Sequence, residues 1–258
     1  MRIKRRSTLA MALLLVALNS ISAFAAQESD KEIVAVPIEV PTDETEASTR
    51  SVQGPMGGRP ARPEDIALAV EDVEETDDSS DMSAKATWYY LDNTFYVYNQ
   101  STYYYCGPAA VQAVLRYING SASSQATIAN GCNTSSENGT YLSDMITYLN
   151  KKQSTNTYKA SYSSSSSILK SKIYTDIVTN DIPLIIGLAF SSGDGWLYDT
   201  TGHFMSVYGV ASDKSSFALA DPWIGYSGSG LSSYSSSYTK TASTVYSAYN
   251  SGGLGIAY

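Results

Sequence analysis

The sequence predicts an α+β fold in which helices precede an antiparallel sheet. After residue 86, apolar residues first recur at helical spacing, and beyond Pro183 they form short runs separated by Gly and Asp turn residues. Helices followed by neighbouring strands are typical of an α+β domain with an antiparallel sheet. The chain has 258 residues, 43% of them hydrophobic, which is enough for one medium domain with extensions.

The clearest predicted element is a helix that follows Cys106. Apolar positions recur at helical spacing as far as Ile118, Pro108 suits the first turn, and Asn119-Gly120 is a stop signal. Further elements are predicted from the same patterns. They are helices at 141–150 and 168–178 and strands at 184–190, 204–210 and 216–220.

The first 25 residues have the pattern of a signal peptide. Four basic residues precede an apolar run at 9–18, and Ala23-Phe24-Ala25 provides the small residues of a cleavage site. Ten apolar residues are too few to span a bilayer, so we expect cleavage after Ala25 and no transmembrane segment in the mature protein. This predicts a secreted protein, outside the cell or on the envelope side, where disulfides can form.

Residues 26–85 form an acidic region ahead of the domain at 86–258. Between 27 and 85 the sequence has 16 acidic and 5 basic residues, and such a composition does not bury enough apolar surface to offset its ordering entropy. We interpret it as a disordered linker or a pro-segment, with 66–70 as a candidate short helix docked on the domain. The pair Gly57-Gly58 alone is very weak evidence for processing. The net charge of −8 argues against a nucleic-acid partner.

Candidate catalytic residues are few, because the chain has one histidine and two cysteines. Any imidazole that acts as a general base must be His203. Cys106 begins the predicted helix, where unpaired N–H groups and the helix dipole favour a thiolate. A buried structural cysteine, or a disulfide between Cys106 and Cys132, is the alternative.

Two further polar residues complete a possible site. His203 opens one predicted strand and Asp221 ends the next, so antiparallel pairing can bring them together, although the register is open. Asp221 could equally be the turn-forming residue before Pro222. Gln100 lies six residues before Cys106, and its amide could donate to an oxyanion.

These strings resemble the C39-like cysteine peptidases. The resemblance covers about 99–226 and is carried by 100–110 (QSTYYYCGPAA), by Gly202-His203-Phe204 with the strand after it, and by Ala220-Asp221-Pro222. It implies a papain-like fold with an N-terminal catalytic helix packed on an antiparallel sheet.

The same resemblance implies roles for four residues. Cys106 would be the nucleophile, His203 the general base and acid, Asp221 the group that orients the imidazole, and Gln100 an oxyanion donor. The substrate would be a peptide or protein, and no cofactor is implied. Family members that process bacteriocins are fused to transporters and cut after a double glycine. This chain shows no transporter, so we do not carry that substrate class over.

Other chemistry finds little support in the sequence. One histidine and two cysteines 26 positions apart do not make a usual zinc site, and there is no phosphate-binding glycine motif. Three hypotheses remain. The first is a secreted cysteine peptidase; the second is a non-catalytic binding domain, rich in tyrosine, with a Cys106 to Cys132 disulfide. The third is a cell-wall amidase or acyl transferase that uses the same residues.

Overall fold

Helices precede most of the sheet along the chain, as the sequence predicts. The computed structural model describes residues 54–67, 69 and 86–258, all of which belong to one unit, Ile33–Tyr258. The predicted signal peptide and most of the predicted acidic region lie outside the described residues. The helices are α1 (Pro63–Ala67), α2 (Cys106–Asn119), α3 (Gln125–Gly131), α4 (Leu142–Lys152), α5 (Ser166–Tyr174) and α6 (Ala242–Gly252). A π-helical turn, Thr175–Asn180, continues α5.

The described residues form a seven-stranded sheet in which all strand pairs are antiparallel. Its strands are β1 (Trp88–Tyr90), β2 (Ala160–Ser161), β3 (Leu184–Phe190), β4 (Thr200–Ala211), β5 (Ser216–Ala220), β6 (Ser237–Thr241) and β7 (Ile256–Ala257). The order is β2-β7-β3-β4-β5-β6, and β1 pairs with the end of β4. The architecture is therefore α+β with an antiparallel sheet.

β4 begins four residues earlier than the predicted start at 204. Thr200 pairs with Phe190 and His203 with Leu188, so the polar residues before Phe204 continue the ladder with β3. His203 consequently lies inside the strand and is fully buried, whereas the sequence predicts it at a strand end. The ladder hydrogen bonds thus extend the strand beyond its apolar run.

A buried cluster joins α2 to the sheet. It contains Cys106, Val111 and Val114 of α2 together with Ile185 of β3 and Phe204 of β4. Each fully buried Val, Ile or Phe contributes about 1.5–3 kcal/mol relative to an exposed one, so this contact fixes the helix firmly. The start of α2 is thereby held close to the strand that carries His203.

None of the helices in the described ranges is both long and apolar enough to cross a membrane.

Candidate active site

Cys106 is the first residue of α2 and is fully buried. The residue before it, Tyr105, provides no side-chain cap to the first turn. Because the first N–H groups of a helix have no partner within the helix, the helix end favours a negative charge there. Cys106 therefore begins the helix, at the place where the sequence predicts it.

The structure brings His203 and Asp221 into direct contact. His203 Nε2 lies 2.9 Å from Asp221 Oδ1, and both side chains are fully buried. The contact follows from the register between β4 and β5, in which Ser206 faces Ala220. Since a carboxylate only accepts hydrogen bonds, the Nε2–H of the imidazole is the donor.

Asp221 receives three more hydrogen bonds. Its Oδ2 accepts from the hydroxyl groups of Tyr198 and Tyr238, both at 2.8 Å, and its Oδ1 also accepts from the backbone N–H of Trp223 at 2.9 Å. With four donors around it, this buried carboxylate is well satisfied as an anion. Neither tyrosine is recognisable from the sequence as part of a site, because nothing distinguishes the two among the 21 in the chain.

The imidazole is strongly basic in this environment. Burial by itself lowers the pKa of His203, but the charge and hydrogen bond of Asp221, together with the neighbouring Cys106, raise it to about 9. Nδ1 is buried and has no hydrogen-bond partner among the described residues, so it is the ring nitrogen that the bond to Asp221 leaves available. Burial and the charge of Asp221 also hold the pKa values of Tyr198 and Tyr238 well above the usual range.

Gln100 is a buried residue in a partly exposed loop that is joined to the segment carrying Asp221. Its backbone N–H donates to the carbonyl of Pro222 at 2.9 Å, and its side-chain Nε2 donates to the carbonyl of Thr102 at 2.7 Å. Because Nε2 carries two hydrogens, the second remains for another acceptor. The loop therefore presents a buried amide whose position is fixed from two sides.

Cys132 is a separate, buried thiol at the end of α3. Both cysteines are free, so the disulfide of the binding-domain hypothesis is not formed. Burial, with a smaller contribution from the charge of Asp144, raises the pKa of Cys132 to about 12. This thiol remains protonated and belongs to the apolar cluster under α2.

The loop before α4 forms the other side of the site. A Cβ added at Gly107 would lie 2.9 Å from both Thr140 and the sulfur of Met145, so glycine lets this loop approach α2 closely. Residues 54–58 of the chain lie between this loop and the start of β4. In the described parts of the chain, no group of three or more potential metal ligands is found.

Comparisons with known proteins identify the family. No curated protein sequence matches this chain. A similar solved structure is the peptidase domain of Streptococcus ComA, a bi-functional ABC transporter involved in a quorum sensing pathway. It is 17% identical, the match covers 64% of this chain and 96% of that one, and the TM-score is 0.41.

The profile of the Peptidase_C39 like family matches residues 93–253, which is more than half of the chain. The matched range contains Gln100, Cys106, His203 and Asp221. The resemblance found in the sequence is thereby confirmed: this chain belongs to the Peptidase_C39 like family.

Proposed function

We propose that this chain is an exported cysteine peptidase that hydrolyses peptide bonds through Cys106 and His203. The observation that carries the proposal is the buried hydrogen bond between Asp221 and His203, in which the imidazole has a pKa raised to about 9 by Asp221 and the neighbouring Cys106. An imidazole this basic remains protonated at neutral pH and stabilises a thiolate beside it.

In the first half of the reaction, the thiolate of Cys106 attacks the carbonyl carbon of the scissile peptide bond. The Nδ1–H of protonated His203 then transfers its proton to the leaving amine, which departs as the C–N bond breaks. In the second half, His203 takes a proton from a water molecule that attacks the thioester. The carboxylic acid leaves, and the thiolate and the imidazolium are restored.

Asp221 holds the imidazole in the orientation that this proton transfer needs. Its hydrogen bond fixes Nε2 and leaves Nδ1 for the sulfur and the substrate. Tyr198, Tyr238 and the N–H of Trp223 in turn fix the carboxylate. The tyrosines are positioning residues, because they act through Asp221.

Gln100 and the backbone N–H of Cys106 stabilise the oxyanion of the tetrahedral intermediate in this proposal. Two features support this role. The amide of Gln100 has a hydrogen not used by Thr102, and the N–H of Cys106 belongs to a helix start without a side-chain cap. Donors held in place before the reaction need no reorganisation when the charge develops.

We further propose that the protein acts outside the cytoplasmic membrane, on peptide or protein substrates. The basic, apolar and small-residue pattern of the first 25 residues supports export. Cell fractionation with N-terminal sequencing tests this step. A mature chain that begins after Ala25 in the extracellular or envelope fraction is expected, whereas a full-length cytoplasmic chain would contradict it.

The catalytic proposal is tested by incubating a peptide library with the purified chain and identifying the products by mass spectrometry. Because residues 54–58 lie beside Cys106, the assay includes a Gly58→Val chain, in which they are displaced. We expect hydrolysis that is lost, by about 10³-fold or more, on Cys106→Ala. If neither the native nor the Gly58→Val chain shows hydrolysis that depends on Cys106, the peptidase proposal is wrong.

A further inference from the structure

A segment of the chain itself lies across the candidate site. We call residues 54–67 the cleft segment. On one side, the N–H of Gly54 donates to the carbonyl of Asp199 at 2.7 Å and that of Gly58 to the carbonyl of Gly202 at 2.9 Å. Gly202 directly precedes His203. The cleft segment is therefore bound, main chain to main chain, beside the beginning of β4, the strand that carries the imidazole.

The loop before α4 binds the other side of the same segment. The N–H of Thr140 donates to the carbonyl of Gly57 at 2.7 Å, and the N–H of Arg59 donates to the carbonyl of Thr140 at 3.2 Å. Further along, the N–H of Ala61 donates to the carbonyl of Gly253 at 2.9 Å. The segment is paired on both sides, so it fills the space between β4 and the Thr140 loop.

The fit at the two glycines leaves no room for a side chain. A Cβ on Gly57 would lie 2.6 Å from the carbonyl oxygen of Tyr104 and 2.8 Å from Cys106 Sγ. A Cβ on Gly58 would lie 2.8 Å from the backbone N of His203 and would overlap with Leu254. Both glycines are buried. The backbone of the cleft segment thus covers the sulfur directly and leaves no space for a second peptide.

Arg62 anchors the end of the cleft segment to the domain. Its guanidinium donates to Asp65 at 2.7 Å and to Ser143 Oγ at 2.6 Å, lies 3.6 Å from Asp144, and stacks over the ring of Tyr141. Ser143 also donates to Asp65 at 2.9 Å. These contacts fasten α1 to the start of α4, and so they hold the glycine pair in place from one end.

The orientation of the carbonyl groups is that of an inhibitor, not of a substrate. A scissile carbonyl has to point toward Gln100 and the start of α2, where an oxyanion is stabilised. The carbonyl of Gly57 instead points to the N–H of Thr140, and that of Gly58 faces the backbone of Gly202. The two peptide groups next to Cys106 and His203 are therefore bound without being placed for attack.

We propose that the cleft segment, residues 54–67, is an intrinsic inhibitor that occupies the peptide-binding cleft and covers Cys106 until it is displaced or removed. The proposal rests on the proposed function, since the cleft segment would regulate that same catalytic site. Tethering strengthens the inhibition, because a segment on a short linker has an effective concentration of about 1 mM. Even modest intrinsic affinity then keeps the cleft closed. Loss of the segment by processing elsewhere in the acidic region would open it.

The test measures the rate at which iodoacetamide alkylates Cys106 in the full chain, located by peptide mapping so that Cys132 is counted separately. In Gly58→Val the added side chain prevents the cleft segment from fitting against Leu254 and the backbone of His203. We expect alkylation at least tenfold faster than in the native chain. Gly193→Val is the matched control, because a Cβ there meets nothing within 4 Å. Its alkylation rate should equal that of the native chain. Arg62→Glu, a second variant that alters no glycine, should also accelerate alkylation.

A peptide with the sequence of residues 54–67 completes the test. Added in excess, it should slow alkylation of the Gly58→Val chain back toward the native rate, and the same peptide with Gly58→Val should not. Native-like rates in both Gly58→Val and Arg62→Glu chains would overturn the proposal. So would cleavage of the native chain at the glycine pair that depends on Cys106.

The readouts separate this proposal from the proposed function. Alkylation reports whether the sulfur is covered, irrespective of any catalysis. If native and Gly58→Val chains hydrolyse peptides equally, the peptidase proposal is supported and the proposal of an intrinsic inhibitor is wrong. If alkylation accelerates as expected but no chain hydrolyses peptides, the cleft segment covers Cys106 as proposed and the peptidase is contradicted.

Discussion

Asp221 and His203 lie 18 positions apart on neighbouring strands, and a 2.9 Å hydrogen bond joins them at a point where neither side chain is exposed. A histidine buried alone would be neutral at physiological pH, since burial disfavours its charged form. Here the carboxylate and the adjacent thiol reverse that effect and raise the pKa to about 9.

The tyrosine hydroxyl groups on Asp221 should matter for both stability and rate. Tyr238→Phe removes one of the two hydrogen bonds to Oδ2. Because hydrogen bonds to charged groups contribute about 1.5–3 kcal/mol, we expect the free energy of unfolding to fall by about that amount in urea titrations. Peptide hydrolysis in the Gly58→Val background should fall severalfold as Asp221 loses its fixed position.

The matched control for this prediction is Tyr148→Phe. The hydroxyl of Tyr148 is buried without a hydrogen-bond partner among the described residues. Its removal should leave both stability and hydrolysis close to the unsubstituted values. Equal effects of the two substitutions would show that the hydrogen bond to Asp221 is not what matters.

Gln100→Ala should reduce kcat by about 10² to 10³-fold while KM changes little, because the amide acts on the oxyanion that exists only after attack. Steady-state kinetics with a cleavable peptide, again in the Gly58→Val background, measures both constants. Gln153→Ala is the control, since that side chain closes the end of α4 through Thr155 and Asn156. Gln153→Ala should lower the free energy of unfolding and leave kcat unchanged. A Gln100→Ala enzyme with unchanged kcat would remove Gln100 from the mechanism.

Stability should fall as pH rises from about 6.5 to about 9. The folded-state pKa of His203 is raised, so its contribution is complete below the unfolded value of 6.5 and is lost as pH passes the folded value. Other groups with a large pKa shift titrate mainly outside this pH range. The raised pKa of Asp176, about 6, acts below it, and that of Cys132, about 12 against an unfolded value of 9.0, acts above it. Urea titrations across this range should show a clear fall, which is reduced in His203→Gln. An unchanged fall in that variant would assign it to other groups.

Serine substitutions at the two cysteines should have opposite effects on peptide hydrolysis. Cys132→Ser should leave peptide hydrolysis intact, because Cys132 is a buried, protonated thiol in the apolar cluster. Cys106→Ser should abolish it, since a hydroxyl beside the imidazole is a far weaker nucleophile. Both variants are compared by hydrolysis and by circular dichroism in the Gly58→Val background. Loss of activity in a correctly folded Cys132→Ser chain would count against a purely structural role.

Much of the fold follows from local patterns. The strands at 184–190 and 216–220 agree with the structure at both ends, because each is an apolar run bounded by turn residues. The helix at Cys106 is equally clear in the sequence. By contrast, α6 (Ala242–Gly252) contains mostly Ser, Thr, Ala and Tyr, so the sequence pattern does not reveal its apolar face. The position of this helix is determined by its packing against β3 in the folded chain.

The sequence indicates the candidate site residues but leaves open the register that brings His203 and Asp221 together. The pairing of β4 and β5 contains a bulge at Tyr208, which shifts the register by one residue. Since each one-residue shift moves every side chain to the other face of a sheet, spacing alone does not place Asp221 beside His203. Likewise, the sequence alone does not indicate that Gly57 and Gly58 lie beside Cys106. Their position depends on hydrogen bonds with Thr140 and Gly202, which are distant in sequence and contact the glycines only in the folded chain.

An NMR titration of the imidazole of His203 measures directly whether Asp221 and Cys106 raise its pKa. This histidine is unique in the chain, so isotope-labelled histidine in a protein without a histidine tag gives one unambiguous signal. We expect an apparent pKa of about 9, with lower values in Cys106→Ala and the lowest in Asp221→Asn, because Asp221 makes the larger contribution. An imidazole that titrates at or below 6.5 in the native chain would show that Asp221 and Cys106 do not hold His203 protonated, whether or not the cleft segment is bound.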